Sequence, residues 1–266
     1  MSGNLHLVVD GAAAFVYTGA RAFDPERDSV VFIHGAAMDH TVWVLPARYF
    51  ARHGRNVLAV DLPGHGRSAG PALSTIGDMA DWVVRVLDAA GVEHAAVVGH
   101  SMGSLVAFDI SRRHRARVSS LTLVGSAVPM AVSDALLDAA RADSHDAVDM
   151  LTWWGYSRAA WLGGNATPGM WMTGGTMRLL ERAAPGVLHS DLAACNAYRI
   201  NAGTEGPIEV PALLILGERD MMTPPRNSAL LTTVLTDART CVLPGSGHSL
   251  MMERPEQLLD ALVTIV

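Results

Sequence analysis

Five short runs, 29–33 (SVVFI), 56–60 (NVLAV), 95–98 (AAVV), 120–124 (SLTLV) and 212–216 (ALLIL), are almost wholly apolar and rich in β-branched residues. A strand with one wet face alternates polar and apolar side chains, so a strand apolar throughout needs cover on both faces. That is the condition of the central strands of a parallel sheet, and the segments between the runs carry helical patterns that can supply the cover. Thr75 and Asp78 read as a capping box, and Met79, Trp82, Val83, Val86, Leu87 and Ala90 then recur at helical spacing until Gly91 stops them. A second helix follows Ser101, and Pro255 opens a last one through Leu262. Runs at 5–9 and 14–18 flank Asp10-Gly11, a hairpin signal, and 240–243 adds an eighth strand. The expected architecture is an α/β fold with right-handed crossovers.

One stretch breaks the alternation. From about 127 to 210 no strand is evident, and four of the six tryptophans fall there, Trp153, Trp154, Trp161 and Trp171. We read it as a helical insertion that leaves the sheet after Val124 and returns at Ala212, dividing the chain into a core (1–126 and 211–266) and a cap (127–210). With half its residues hydrophobic and 17% charged, the chain can bury a large core. A formal charge of −6 argues against a general affinity for nucleic acid or anionic lipid. No apolar run is long enough to span a membrane. "MSGNLHLVVDG" shows no secretory pattern, and the two cysteines, Cys195 and Cys241, are expected to be buried free thiols. The expected setting is a reducing cytoplasm.

"AAVVGHSMGS", 95–104, ends an apolar strand with a serine bracketed by glycines two places away on either side. A hydroxyl becomes a useful nucleophile only when a base takes its proton and the backbone stands clear of it. A sharp strand-to-helix turn presents the serine but crowds the chain, and Gly99 and Gly103 remove the side chains that would collide. The same turn aims a helix N-terminus at the space beside Ser101, so the Met102 N–H is a natural oxyanion donor. In "VVFIHGAAMDH" a strand ends at Ile33 and a loop of small residues follows, where Ala36 can offer a second N–H and His34 is expected to pin the loop. In "LLILGERDMMTPP" Asp220 sits just past a strand, where a carboxylate can orient an imidazole; Glu218 is the competitor. In "LPGSGHSLMMERPE" His248 follows a strand and a glycine-rich turn. His65 and His100 are its rivals, but His65 fits a structural loop and His100, next to Ser101, should point away from it.

Through "HGAAMDH", "DLPGHGRS", "GHSMGS", "LGERDMMTP" and "GSGHSLMMERP" the chain resembles the α/β-hydrolase superfamily nearly end to end. The resemblance implies a mostly parallel eight-stranded sheet with helices on both faces and a helical cap after the sixth strand. It implies Ser101 as nucleophile, His248 as general base and acid, Asp220 as its partner, and an oxyanion hole from the N–H groups of Ala36 and Met102. Serine at the elbow argues against the epoxide hydrolase and haloalkane dehalogenase branches, which use aspartate. Ser104 departs from relatives that carry a second glycine there.

The RRHRAR run at 112–117 complements a helix C-terminus. No histidine and carboxylate spacing suggests a metal, and no cofactor motif is present. Met38, Trp153, Trp154, Met221 and Leu250 are candidates for the wall of an apolar pocket, with Met102 beside them. The expected activity is hydrolysis of carboxylic esters by a serine nucleophile through an acyl-enzyme, on a small apolar ester or related acyl substrate. A carbon–carbon bond hydrolase, enol-lactonase or perhydrolase would use the same triad. A ligand receptor without turnover on the same fold is the alternative from another class.

Overall fold

The computed structural model describes residues 4–24, 26–164, 169–200 and 207–266. Parts of the insertion, 165–168 and 201–206, lie outside the described residues. Eight strands form one sheet: β1 (Asn4–Val9), β2 (Ala12–Tyr17), β3 (Ser29–Ile33), β4 (Asn56–Val60), β5 (Ala95–His100), β6 (Val118–Val124), β7 (Ala212–Gly217) and β8 (Ala238–Leu243). Their order is β1-β2-β4-β3-β5-β6-β7-β8, parallel from β4 to β8 with the first hairpin antiparallel. Asp10 (φ 54) and Gly11 (φ 78) close that hairpin with two left-handed residues, which matches the twist of the strands they join.

The central strands are apolar throughout because both faces are covered. On β3, Val31 and Ile33 enter one hydrophobic cluster while Val30 and Phe32 enter another; β7 divides in the same way, Leu214 and Leu216 against Leu213 and Ile215. The first cluster is closed by α2 (Ile76–Ala89) and α3 (Met102–Arg113), the second by α1 (Val44–Arg52) and α11 (Pro255–Val263). Each fully buried Val, Leu, Ile or Phe contributes about 1.5–3 kcal/mol. At the start of α2 the Thr75 hydroxyl accepts the Asp78 N–H at 3.0 Å. At its end the Val92 N–H reaches Leu87 O and the Gly91 N–H reaches Asp88 O, with Gly91 at φ 70.

Between β6 and β7 run α4 (Asp134–Arg141), α5 (His145–Gly155), α6 (Arg158–Trp161), α7 (Met172–Leu180) and α8 (Val187–Ala197). Leu136, Val148, Leu151, Leu180 and Leu192 from these helices form a smaller core that also receives Ala37, so it sits on the loop after β3. The helices α9 (Ala229–Val234) and α10 (Leu250–Glu253) complete the chain. No helix among the described residues is long and apolar enough to cross a membrane. Cys195 is a buried free thiol, but Cys241 is only half-buried, because it lies on β8 at the sheet edge. The basic run that ends α3 and follows it is spent on local partners: Arg113 on Asp109 and Asp81, and Arg117 on Asp88 and the carbonyls of Val92 and Glu93.

Candidate active site

Strand β3 has β4 on one side and β5 on the other, so chain direction across the sheet reverses between β3 and β5. In an open parallel sheet that reversal opens a crevice at the carboxyl ends of the two strands. The loop His34-Gly35-Ala36 leaves β3 there, and Ser101 follows β5.

Ser101 has φ 53 and ψ −120, a conformation that costs a non-glycine residue on the order of 1–3 kcal/mol. Its N–H is held by Val124 O at 2.9 Å, while its side chain makes no capping bond to α3. The flanking glycines are required by contact. A Cβ on Gly99 would overlap the Gly103 carbonyl and stand 2.7 Å from Ser104 N; one on Gly103 would stand 2.5 Å from His34 O. These obstacles are backbone, which cannot rotate away. Gly103→Ala is therefore expected to lose more than about 3 kcal/mol or to fail to fold, which a urea unfolding curve beside the wild type will measure. Ser104 fits without strain, its hydroxyl bonding to Ser126 Oγ at 2.7 Å.

The partners come from the loops after β7 and β8. His248 Nδ1 lies 2.7 Å from Asp220 Oδ2, and both residues are buried. Asp220 also accepts the N–H groups of Met222 and Thr223, each at 2.8 Å, and the Thr223 hydroxyl at 2.7 Å. Burial alone would raise its pKa, but the neighbouring His248 and these hydrogen bonds outweigh that and hold it at about 2. An ionised carboxylate only accepts, so Nδ1 carries the proton and Nε2 is left without one. The buried Nε2 has no hydrogen-bond partner among the described residues. Ser101 and His248 line one cavity, and no hydrogen bond joins them in this state; such bonds commonly tighten only when substrate is bound. Glu218 points elsewhere, accepting the Gly245 N–H at 2.7 Å.

The loop after β3 is built around one peptide plane. His34 is fully buried, and its Nε2 accepts the Leu62 N–H at 3.1 Å, so the ring proton is on Nδ1 and is donated to Gly35 O at 2.8 Å. Burial, and then the charge of nearby His65, lower its pKa to about 4, so the ring is neutral at pH 7. Met38 N–H also donates to Gly35 O at 3.2 Å. In a trans peptide the N–H points opposite to the C=O. Fixing the Gly35 carbonyl therefore fixes the direction of the Ala36 N–H. Among the described residues, neither the Ala36 nor the Met102 N–H donates to a protein acceptor. His100 turns from Ser101 toward the histidine loop: its Nε2–H donates to His248 O at 2.9 Å.

The cavity measures about 320 Å³. Met38, Trp154 and Met221 are among its walls, with Leu136, Leu151 and Leu192 from the helical segment. Trp153 is not: it is 52% exposed and packs edge-on against Trp161, because successive helical side chains point about 100° apart. Leu250 and Met102 are not either. Both are fully buried in the core beneath the loops that carry the site. Asp39, His40 and Asp61 lie close enough together to suggest a cation site. Their oxygens already face hydrogen-bond donors: Asp61 accepts the His40 and Arg67 N–H groups and His40 Nδ1, and Asp39 meets Arg182. That is the surrounding of an anion, and it carries no metal assignment.

Three residues of the site were not anticipated. Thr223 joins the carboxylate, a role the Asp-x-x-Thr spacing of an Asx-type turn could have signalled. Glu253 accepts Gly247 N–H at 2.8 Å and Ser157 N–H at 3.2 Å, tying the histidine loop to the helical segment. Asp191 bonds the loop after β3, and no local pattern marks either acid.

Placed at the switch point of a parallel sheet, a serine turn facing a carboxylate-held imidazole defines a class of α/β protein. The alpha/beta hydrolase fold model matches residues 28–255, and the chain belongs to that family. It is 28% identical over 261 residues to the pimeloyl-[acyl-carrier protein] methyl ester esterase of Nitrosospira multiformis, covering 90% of this chain and 94% of that protein. It is 24% identical over 248 residues to the (E)-2-((N-methylformamido)methylene)succinate hydrolase of Acinetobacter baylyi, covering 89% of each. The solved structure of a thermophilic esterase matches with a TM-score of 0.82 and 26% identity, over 99% of this chain and 97% of that one.

Proposed function

We propose that this protein is a serine hydrolase cleaving neutral carboxylic esters with small apolar acyl or alcohol parts. The reading rests above all on the buried His248–Asp220 pair, 2.7 Å apart, opening on the same cavity as Ser101. As substrate enters, His248 Nε2 takes the Ser101 proton while Oγ attacks the carbonyl carbon. The resulting oxyanion is met by the N–H groups of Ala36 and Met102, and His248 then protonates the departing alcohol. Water, deprotonated by the same imidazole, releases the acid from the acyl-enzyme. Similarity to two esterases supports ester cleavage. In this reading the helices between β6 and β7 act as a cap whose side chains select the substrate.

Among the described residues, the cavity lining contains no arginine or lysine and no carboxylate. A substrate carboxylate placed there would lose its hydration without gaining a counterion. This separates the proposed substrate from a succinate-type dianion. The test is a panel of p-nitrophenyl esters from acetate to octanoate, a lactone, and an ester bearing a free carboxylate at the acyl end. Neutral esters are expected to be turned over repeatedly, with the anionic ester at least about 100-fold poorer in kcat/KM. Preference for the anionic ester would overturn the substrate assignment. One-to-one labelling of Ser101 by a fluorophosphonate without repeated turnover of any ester would favour a receptor.

A further inference from the structure

Helix α8 reaches from the helical segment into the main body through one carboxylate. Asp191 is fully buried, and its Oδ2 accepts two hydrogen bonds at 2.8 Å, from the Ala37 N–H and from His65 Nε2. The other nitrogen of His65 lies 3.0 Å from Pro63 O. Against the burial that would lower it, the Asp191 carboxylate and the Pro63 carbonyl raise the pKa of this ring, favouring the form in which both nitrogens donate. The His65 ring lies against that of His34, with centroids 4.8 Å apart.

Ala37 needs such a hold. It has φ 55, a left-handed conformation that alanine resists, and a turn closed by Met38 N–H on Gly35 O surrounds it. The peptide anchored by Asp191 is the one immediately after the peptide that carries the Ala36 N–H. From the other side, His65 packs on the ring that fixes the Gly35 carbonyl. One acid therefore restrains both ends of the oxyanion loop, and it comes from the helix that also supplies Leu192 and Cys195 to the cavity wall.

We propose that Asp191 is a positioning residue for the oxyanion hole: through Ala37 and His65 it holds the Ala36 N–H in line, so that seating of α8 on the core completes the site. This rests on the proposed serine chemistry and on Ala36 as a donor. A small misplacement of one donor costs on the order of 100-fold in rate.

The test compares wild type with Asp191→Ala and Asp191→Asn on p-nitrophenyl butyrate, and measures affinity for an alkyl trifluoromethyl ketone, whose adduct with a serine carries an oxyanion. For Asp191→Ala, kcat is expected to fall roughly 30- to 100-fold with KM within about threefold, and ketone affinity to fall by a similar factor. Asp191→Asn keeps an oxygen for both donors and should recover to within about fivefold of wild type. Asp191→Leu, of similar volume but without an acceptor, replaces the alanine variant if that is not recovered folded. A rise in KM alone, unchanged kcat, or a fall in kcat with unaltered ketone affinity would each overturn the role. Ser101→Ala runs alongside. Wild-type turnover that survives that change removes the underlying reading; turnover that depends on Ser101 but ignores Asp191 removes only this inference.

Discussion

Ser101→Ala is expected to lower kcat on p-nitrophenyl butyrate by about 10⁵–10⁶ while the protein stays folded and as stable as wild type. The two halves of this result have separate causes. Activity falls because no other hydroxyl takes the place of the attacking Oγ at the turn. Stability is kept because the Ser101 side chain makes no capping bond, and the turn is held by its main-chain N–H on Val124 O, which alanine retains. Ser101→Gly extends the comparison. Glycine adopts φ 53 freely, so this variant should be inactive yet more stable by roughly 1 kcal/mol. Paired thermal melts and rate measurements decide it. An alanine variant that keeps more than about a hundredth of wild-type kcat excludes the serine mechanism.

Asp220→Asn should come close behind, with kcat reduced by about 10⁴ and the fold intact. The amide of that variant would present an N–H where Oδ2 now stands, pushing the proton of His248 from Nδ1 to Nε2 and leaving no base toward Ser101. The pH dependence follows from the same carboxylate. Its folded-state pKa, about 2, is depressed below its unfolded value, so its contribution to stability is present above about pH 4. That contribution, about 2 kcal/mol, is lost as pH falls through about 2. The wild type should therefore lose stability more steeply than Asp220→Asn below pH 4, and the gap between their urea midpoints should narrow or reverse. Parallel midpoints from pH 7 to pH 2 would show that the buried pair adds nothing. Nδ1 of His248 is also 3.1 Å from the Thr223 hydroxyl, which itself donates to Asp220, so the imidazole leans on two oxygens.

What could be read from the chain was what local pattern dictates. The central strands were legible because burial on both faces leaves no room for polar residues, and β3 and β4 begin and end where the apolar runs do. The glycines around Ser101 were legible because the geometry of the turn permits nothing larger. Asp220 and His248 could be selected because each follows a strand whose end faces the same rim. Side-chain direction within a helix was not legible. Trp153 and Trp154 are neighbours of one chemistry, yet Trp154 packs on the smaller core and faces the cavity while Trp153 lies against Trp161. Leu250 stands two residues from His248 and still turns into the core. Least legible were Asp191 and Glu253, whose bonds to His65 and Ser157 span 126 and 96 residues along the chain. Both join the helical segment to the sheet, and no short stretch of sequence holds such a relation.

The close approach of Gly103 to the carbonyls of Ile33 and His34 has a consequence for how such a chain can change over time. In the proposed mechanism, the Ser101 oxygen and the Ala36 and Met102 N–H groups are spaced by main chain resting on main chain. Leu136, Leu151, Trp154 and Leu192, which line the cavity, hang from a different layer. On that proposal, ordinary side-chain exchange in the helical layer is expected to redraft which substrates enter while the reaction keeps its spacing.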